Sequence, residues 1–194
     1  YGVADDRIAQ VFNPIDIDVW YPDRKASTRA ALGLPLTAPL VMWHGRVDIR
    51  TKGIDVLLDG WRRFRETPVG RSAWLLMVGS GRDSVWLQAQ GRANAAQQVL
   101  WIDEYIVDRG RMRSLLSAAD VYAFPSRHEG FPVAPLEAMA CGLPVISSDV
   151  QGIRDILPDR AACGIVVPRE DPAALAAGLA SILSDEPTRA TMSA

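Results

Sequence analysis

Six short apolar runs, separated by stretches of helical or turn character, constrain the fold of this chain more than any other feature of its sequence. The runs cover residues 40–44, 74–78, 99–102, 121–124, 144–147 and 164–167. Each run is apolar on successive residues, which is typical of a strand that is covered on both faces. Strands that alternate with helices are joined by right-handed crossovers and form a parallel sheet. We therefore predict an α/β fold with a doubly wound, mostly parallel, six-stranded sheet and helices on both faces.

Apolar residues at helical spacing predict the helices that cover this sheet. The clearest stripe lies in residues 52–66 and consists of Ile54, Leu57, Leu58, Trp61 and Phe64. Further helices are predicted at residues 24–32, 83–91 and 112–119, and another follows the capping pair Asp171-Pro172. Residues 1–23 show no clear periodicity, so we interpret them as a connecting segment and residues 24–194 as one domain.

The overall composition excludes several classes of protein. The formal net charge of the 194 residues is −2, so no basic field indicates a nucleic-acid partner. Cys141 and Cys163, the two cysteines, lack the spacing of a metal site or a redox motif. No apolar run approaches the length of a membrane span. These features are typical of an ordinary globular protein of the cytoplasm.

Residues 125–142 combine a strand end, a loop and a helix start at the edge of the sheet where ligands bind in doubly wound folds. Pro135 stands where a first helical residue would be, and Gly142 stands where a left-handed residue would end the helix. Two carboxylates lie within the stretch, Glu129 in the loop and Glu137 in the first helical turn. A helix that starts here would direct its free N–H groups towards an anion such as a phosphate.

Other candidate residues follow the remaining strands, and each allows two interpretations. Arg46 and Lys52 could reach a diphosphate from the crevice, or they could be an ordinary surface pair. Gly79-Ser80-Gly81 lacks the third glycine of a dinucleotide fingerprint, which favours a tight strand-to-helix turn over an NAD site. His44 is interpreted as a packed or hydrogen-bonded residue at a strand end.

The roles of the two glutamates and of His128 also stay open at this point. Glu129 and Glu137 could act as an acid/base pair, although Glu137 could equally complement the positive end of its helix. His128 lies in the loop that faces the crevice, beside Glu129. Neither histidine forms a metal-binding set with its neighbours in the sequence.

The motifs taken together resemble the C-terminal domain of GT-B glycosyltransferases of family 4. The resemblance is carried along nearly the whole chain by Gly45-Arg46, Lys52-Gly53-Ile54-Asp55, residues 76–81, residues 118–121, Pro125-Ser126, Glu129-Gly130-Phe131 and residues 136–146. Asn13-Pro14-Ile15-Asp16 is similar to the family's interdomain connection, so residues 1–23 become an interdomain segment. The glutamates separated by seven residues, followed by a helix of small residues, are the most specific part. The resemblance implies that residues 24–194 form one Rossmann-like half of a GT-B fold.

That half binds the nucleotide-sugar donor in the family, which implies roles for individual residues. Arg46 and Lys52 would hold the diphosphate and stabilise the leaving charge, and Glu129 would face the donor sugar. These three residues are the implied catalytic set. Glu137 would accept hydrogen bonds from the ribose, while Ile102 and Tyr105 would flank the base. The rest of the implied donor-binding set consists of His128, Gly130, Phe131, Pro132 and Leu136.

The resemblance also implies the reaction and its partners. A UDP- or GDP-sugar would donate a hexose with retention of anomeric configuration, without a metal ion or another cofactor. The acceptor would be a glycan, a lipid or a small molecule, bound by an N-terminal acceptor domain that this chain does not contain. We therefore expect little transfer from these 194 residues alone. A cytoplasmic location is implied, with peripheral association of the parent enzyme at the inner membrane face left open.

This chain departs from the family pattern at Pro132, where the loop usually has glycine. Proline removes one backbone donor and fixes φ, which implies a different sugar contact there. Two alternatives stay open: a nucleotide-sugar-binding module without catalysis, and a GT-B nucleotide-sugar epimerase. The presence of Arg46, Lys52, Glu129 and Glu137 argues against loss of the chemistry, and the helix that carries Glu137 favours transfer over epimerisation.

Overall fold

The computed structural model describes residues 4, 7, 9, 11–91, 97–157, 163–185 and 192. In chain order the elements are α1 (Lys25–Ala31), β1 (Leu40–His44), α2 (Ile49–Lys52), α3 (Ile54–Arg65), a 3-10 turn (Gly70–Ser72), β2 (Trp74–Val78), α4 (Ser84–Ala89), β3 (Val99–Ile102), α5 (Arg109–Ser117), β4 (Val121–Phe124), α6 (Ala134–Ala140), β5 (Val145–Ser148), α7 (Ile153–Ile156), β6 (Gly164–Val167) and α8 (Pro172–Ser184).

The six strands form one sheet in the order β3-β2-β1-β4-β5-β6, and every neighbouring pair is parallel. The predicted six-stranded, doubly wound sheet is therefore confirmed, and it is parallel throughout. The order reverses between β1 and β4. In such sheets this switch point is where a ligand binds.

Alternate strand residues pack into two separate cores, one on each face of the sheet. On β1, Met42 belongs to a core covered by α5, α6 and α7, whereas Val41 and Trp43 belong to a core covered by α3, α4 and α8. This division explains why the strand sequences are apolar on successive residues. It also confirms the predicted helices on both faces.

The helix predicted to begin at Lys52 is two helices, and Lys52 ends the first of them. The Asp48 carboxylate caps α2 by accepting a hydrogen bond from the backbone N–H of Thr51. Gly53 then adopts a left-handed conformation, φ 62°, and a Cβ at this position would overlap the backbone carbonyl of Pro125. The break therefore depends on a contact with a distant loop, and it brings Lys52 next to residues 125–129.

The other predicted boundaries differ from the structure by a few residues at most. α6 starts at Ala134, so Pro135 is its second residue rather than its first, and Gly142 has the expected left-handed conformation with φ 79°. The fifth strand lies one residue later than predicted. Asp171 caps α8 through the backbone N–H of Ala174, as the sequence indicates.

The segment before α1 packs on the core of the domain, and Trp20 is its most buried large side chain. Trp20 is buried against the face that α5 and α6 cover. Within the described ranges, no helix has the length and apolar character that a membrane crossing requires.

Candidate functional site

A cavity of about 360 Å³ opens at the carboxyl ends of β1 and β2, beside the switch point of the sheet. Its walls come from the strand ends, from the loop between β3 and α5, and from α6. The lining residues are Trp20, His44, Gly45, Arg46, Val78, Gly79, Glu104, Tyr105, Ile106, Val107, Arg109, Met112 and Glu137.

Backbone packing between the first two strand ends forms one wall of this cavity. Gly79 has φ 143°, and a Cβ on it would overlap the backbone carbonyl oxygen of Gly45. The Gly45 N–H donates to the Val78 carbonyl at 3.0 Å, so the two chains stay paired beyond the strands. The Gly79-Ser80-Gly81 motif is thus the tight strand-to-helix turn that the sequence favoured, and its first glycine allows the two loops to touch.

Glu137 faces the cavity from the first turn of α6, where it is held by a histidine from β1. The His44 Nε2 atom lies 3.0 Å from the Glu137 Oε2 atom. The Tyr122 hydroxyl donates to the His44 backbone carbonyl at 3.2 Å, and the two rings pack with centroids 5.3 Å apart. Burial raises the pKa of the Tyr122 phenol, so this group stays protonated and remains a donor.

Lys52 and Glu129 form an ion pair, and neither of them lines this cavity. The Lys52 Nζ atom lies 2.6 Å from the Glu129 Oε1 atom, and the side chains are 27% and 13% exposed. Both residues belong to the implied catalytic set, although they are 77 positions apart in the sequence. The Glu129 carboxylate therefore neutralises the Lys52 ammonium group in this structure.

Arg127 holds the loop that carries Glu129 against α2 and α3. Its guanidinium makes a two-point contact with the Asp55 carboxylate, at 2.7 and 2.9 Å, and donates to the Glu170 carboxylate at 2.8 Å. The Arg127 backbone N–H also donates to the Thr51 carbonyl at 2.8 Å. Burial opposes ionisation of Asp55, but Arg127 and the backbone N–H groups at the start of α3 together outweigh it and lower the pKa of that carboxyl. This contact fixes the distance between α2 and the loop, and so supports the Lys52–Glu129 pair.

Arg46 and Arg109 give the cavity unneutralised positive charge. Neither has a hydrogen bond or a salt bridge to the residues that the structure describes, and both are exposed. The two carboxylates of the lining are already engaged, Glu137 by His44 and Glu104 by Arg111 at 2.6 Å. The arrangement can therefore accept an anionic ligand without first breaking an ion pair of either arginine.

The remaining residues of the implied donor set fall into three places. Tyr105 lines the cavity and is exposed, whereas Ile102 and Leu136 are partly buried and pack against the core. Phe131 packs its ring on Phe12 with centroids 4.9 Å apart. In the same loop, Gly130 is exposed and Pro132 is buried.

His128 lies apart from the main cavity. It lines a second cavity of about 350 Å³, together with Arg127, Arg169 and Glu170. The structure thus brings Arg46, Tyr105 and Glu137 to one cavity and pairs Lys52 with Glu129, while His128 lines a different cavity.

Sequence reasoning did not single out Trp20 or Arg109, and Arg109 had left a detectable signal. Arg109 is the first residue of α5, where the helix dipole disfavours a positive charge, so a cation there suggests a role other than helix stability. Trp20 carried no comparable signal, because its place in the cavity wall depends on the fold. His44 is packed and hydrogen-bonded, as the sequence analysis predicted, but its partner Glu137 was not predicted. Within the described residues, no cluster of three or more His, Cys, Asp or Glu side chains is placed to hold a metal ion.

The chain belongs to the family of glycosyl transferases group 1, whose model matches residues 38–185. Its sheet and helices form a Rossmann-like half of a GT-B fold, as the resemblance implied. Among curated proteins it is similar to D-inositol 3-phosphate glycosyltransferase from Xylanimonas cellulosilytica, with 35% identity over 100% of this chain and 47% of that protein. The chain thus spans about half the length of this relative.

Solved structures share the fold at lower sequence identity. The C-terminal domain of a glycosyl transferase group 1 family protein, LpcC from Francisella tularensis, matches with a TM-score of 0.77 and 21% identity over 93% of each chain. HepE from Anabaena, in complex with UDP-glucose, matches with a TM-score of 0.81 and 19% identity over 99% of this chain and 52% of that one.

Proposed function

We propose that this chain is the donor-binding half of a retaining, metal-independent hexosyltransferase and binds a nucleoside diphosphate sugar in the cavity at the switch point. The observation that carries the proposal is the convergence of an unpaired Arg46 and the Glu137 carboxylate on one cavity at the carboxyl edge of β1 and β2. The family membership and the fold shared with HepE, whose structure contains UDP-glucose, support the same choice of ligand.

The chemistry of sugar transfer explains the proposed role of the cations. When a glycosyl group leaves, negative charge grows on the nucleoside diphosphate. Fixed positive groups stabilise that growing charge more than they stabilise the ground state, which lowers the barrier. Arg46 is free to contact the diphosphate, and Lys52 can turn to it from Glu129. Two such cations supply the stabilisation that a metal ion supplies in other transferases.

In this proposal the ribose, the sugar and the base of the donor are bound by two carboxylates and by the loops after β3 and β4. Glu137 accepts hydrogen bonds from the ribose hydroxyls, and Glu129 faces the sugar. The base lies along the loop after β3, near Ile102 and Tyr105. Gly130, Phe131 and Pro132 form the sugar side, with Leu136 behind them and His128 at the margin. We also propose a cytoplasmic location for the protein, as the family resemblance implies.

Transfer itself requires a second half that binds the acceptor, and we expect these 194 residues to show little of it. The relatives of this chain are about twice as long. Incubation with UDP-glucose or GDP-mannose and a panel of glycan, lipid and small-molecule acceptors should give at most slow hydrolysis of the donor. Transfer at a rate of about 1 per second or more, within the range of ordinary enzymes, would contradict this prediction.

Removal of the Arg46 side chain tests the diphosphate site directly. We expect Arg46→Ala to weaken the binding of UDP or GDP about tenfold or more, because a charge-assisted contact to phosphate is lost. Isothermal titration calorimetry with both nucleotides measures the effect.

Arg50→Ala is the matched control for this test. Arg50 is an exposed arginine in α2, four residues away, and it does not line the cavity. We expect its removal to change the affinity less than about twofold, because solvent and salt screen an exposed charge that does not line the cavity. Equal losses in the two variants would show that only the general charge of this face attracts the nucleotide, and no binding of either nucleotide to the unmodified chain would end the proposal.

A further inference from the structure

We infer that His44 is a positioning residue for nucleotide recognition: it fixes one oxygen of the Glu137 carboxylate so that the other is presented to the ribose hydroxyls. The inference rests on the proposed function, because it assumes that Glu137 contacts the ribose. It adds His44 to the residues of the nucleotide site. It also predicts a selectivity for ribonucleotides, since a fixed carboxylate favours nucleotides that carry both ribose hydroxyls.

The position of His44 is fixed from three sides. Its backbone continues β1, and its carbonyl accepts a hydrogen bond from the Tyr122 hydroxyl. Its ring packs against the Tyr122 ring at an angle of 55°, and its side chain is only 10% exposed. A ring with so little freedom can hold a flexible glutamate at low entropic cost, because glutamate otherwise loses considerable rotamer entropy on binding.

The hydrogen bonding of the two ring nitrogens defines which one carries the proton. Nδ1 of His44 is buried and has no hydrogen-bond partner among the described residues. An ionised carboxylate can only accept hydrogen bonds, so the ring nitrogen that faces it must carry a proton. The proton therefore lies on Nε2, and Nε2–H donates to the Glu137 Oε2 atom at 3.0 Å.

This single bond leaves Glu137 only partly satisfied. An ionised carboxylate offers about four lone-pair directions, and His44 is its one side-chain donor within the described part of the chain. The cavity's free cations do not replace it, since neither Arg46 nor Arg109 is bonded to Glu137 in this structure. Glu137 lines the cavity, and its Oε1 atom has no side-chain donor among the described residues, so this oxygen can accept hydrogen bonds from hydroxyl groups.

The two residues come from elements that meet only at the switch point. His44 ends β1, and Glu137 lies in α6, which follows β4, the strand next to β1. The pairing of these two strands therefore sets the distance between the imidazole and the carboxylate. A change at His44 should disturb recognition of the ribose without disturbing the contacts of the base or the diphosphate.

Substitution of His44, combined with removal of the ribose hydroxyls, tests the inference. The probes are UDP and GDP and their 2′,3′-dideoxy analogues, titrated by calorimetry into the 194-residue chain. His44→Phe keeps a ring against Tyr122 but lacks the donor, and His44→Val is a second donorless variant suited to a strand end. His44→Gln restores an N–H donor, and Glu137→Ala removes the carboxylate at a helix position where alanine is tolerated.

We expect His44→Phe to weaken the ribonucleotide about tenfold and the dideoxynucleotide less than about twofold. His44→Gln should retain affinity to within about threefold of the unmodified chain. Adding Glu137→Ala to His44→Phe should cause little further loss, because two residues that act through one contact are not additive. Thermal melts of all variants confirm that each is folded.

The outcomes separate the inference from the function on which it rests. If the unmodified chain binds neither UDP nor GDP, the proposed function is wrong and the inference with it. If Glu137→Ala leaves the preference for ribose intact, the role of Glu137 is wrong. If that preference is lost in Glu137→Ala but kept in both donorless His44 variants, the inference alone is overturned. Equal weakening of ribo- and dideoxynucleotides by His44→Phe and His44→Val would also overturn it, because that pattern indicates a purely structural role.

Discussion

Replacement of Asp120 by alanine should lower the free energy of unfolding by about 3–5 kcal/mol, because it leaves a buried arginine without its counter-ion. Arg29 is 2% exposed, and its Nη2 atom lies 2.8 Å from the Asp120 Oδ2 atom. The same carboxylate oxygen accepts the backbone N–H of Leu40 at 2.7 Å, and the other oxygen pairs with Lys25. Chemical denaturation followed by circular dichroism measures the loss, which is a large part of the stability of an ordinary domain.

The location of this carboxylate explains the size of the expected effect. Asp120 lies just before β4, and Leu40 is the first residue of β1, so the side chain joins the two strands that define the switch point. Arg29 also donates to four backbone carbonyls, which satisfy its N–H groups but supply no negative charge; they belong to Ala118, Pro35, Leu36 and Ala38. Loss of Asp120 thus affects the strand pair on which the cavity is built.

The effect should depend on pH in a defined direction. Burial opposes ionisation of Asp120, but Lys25, Arg29 and the Leu40 N–H outweigh it and lower the pKa of this carboxyl below its usual 3.8. A carboxyl with a lowered pKa contributes stability that is present above about 3.8 and is lost as the pH falls through the folded-state pKa. The difference between Asp120→Ala and the unmodified chain should therefore shrink only in acid below that value.

Asp59→Ala is the control for this prediction. Asp59 also pairs with an arginine, Arg62, but both side chains are more than half exposed. Exposed pairs of this kind contribute less than about 1 kcal/mol, so the control should be close to the unmodified chain. A loss in Asp120→Ala no larger than in Asp59→Ala would show that Arg29 finds other compensation when its partner is removed.

The contrast between these two aspartates illustrates how much of the fold could be predicted from the sequence. The six strands and the longer helices were predictable, because burial on one or both faces leaves a periodic apolar pattern. Asp120 belongs to one of the motifs that carry the family resemblance, but nothing in the sequence indicates that its partner is Arg29, which lies 91 residues away. The break between α2 and α3 was unpredictable for the same reason, because it depends on the contact between Gly53 and the loop at Pro125.

In the candidate site, too, some features were predictable from the sequence and others depend on contacts between distant residues. The identity of its main residues came from the resemblance, and the topology of the sheet explains why Arg46 and Glu137 share a cavity. The pairing of Glu137 with His44 could not be read from spacing, because it joins residues 93 positions apart across β1 and α6. The separate location of His128 is equally a result of the fold: the Arg127 clamp directs this part of the loop towards Arg169 and Glu170.

Lys52→Ala and Glu129→Gln should change nucleotide affinity in opposite directions, although the two residues form one ion pair. In Lys52→Ala the diphosphate loses a cation, and we expect UDP or GDP to bind at least tenfold more weakly. In Glu129→Gln the ammonium group of Lys52 no longer has a charged partner 2.6 Å away, so the diphosphate competes only with a neutral amide. We expect its affinity to rise about threefold to tenfold, measured by calorimetry at constant ionic strength.

Comparison of the plain diphosphate with the sugar nucleotide then separates the roles of the two side chains. If Glu129 faces the sugar, Glu129→Gln should improve UDP or GDP more than it improves the corresponding sugar nucleotide, because the variant has lost a contact to the sugar. The double variant should resemble Lys52→Ala, since removal of the carboxylate helps only while the ammonium group is present. Weaker binding in both single variants would instead mean that the pair is structural and holds α2 to the loop. Arg127→Lys, which weakens the two-point contact with Asp55 without touching the pair, should in that case cause the same loss.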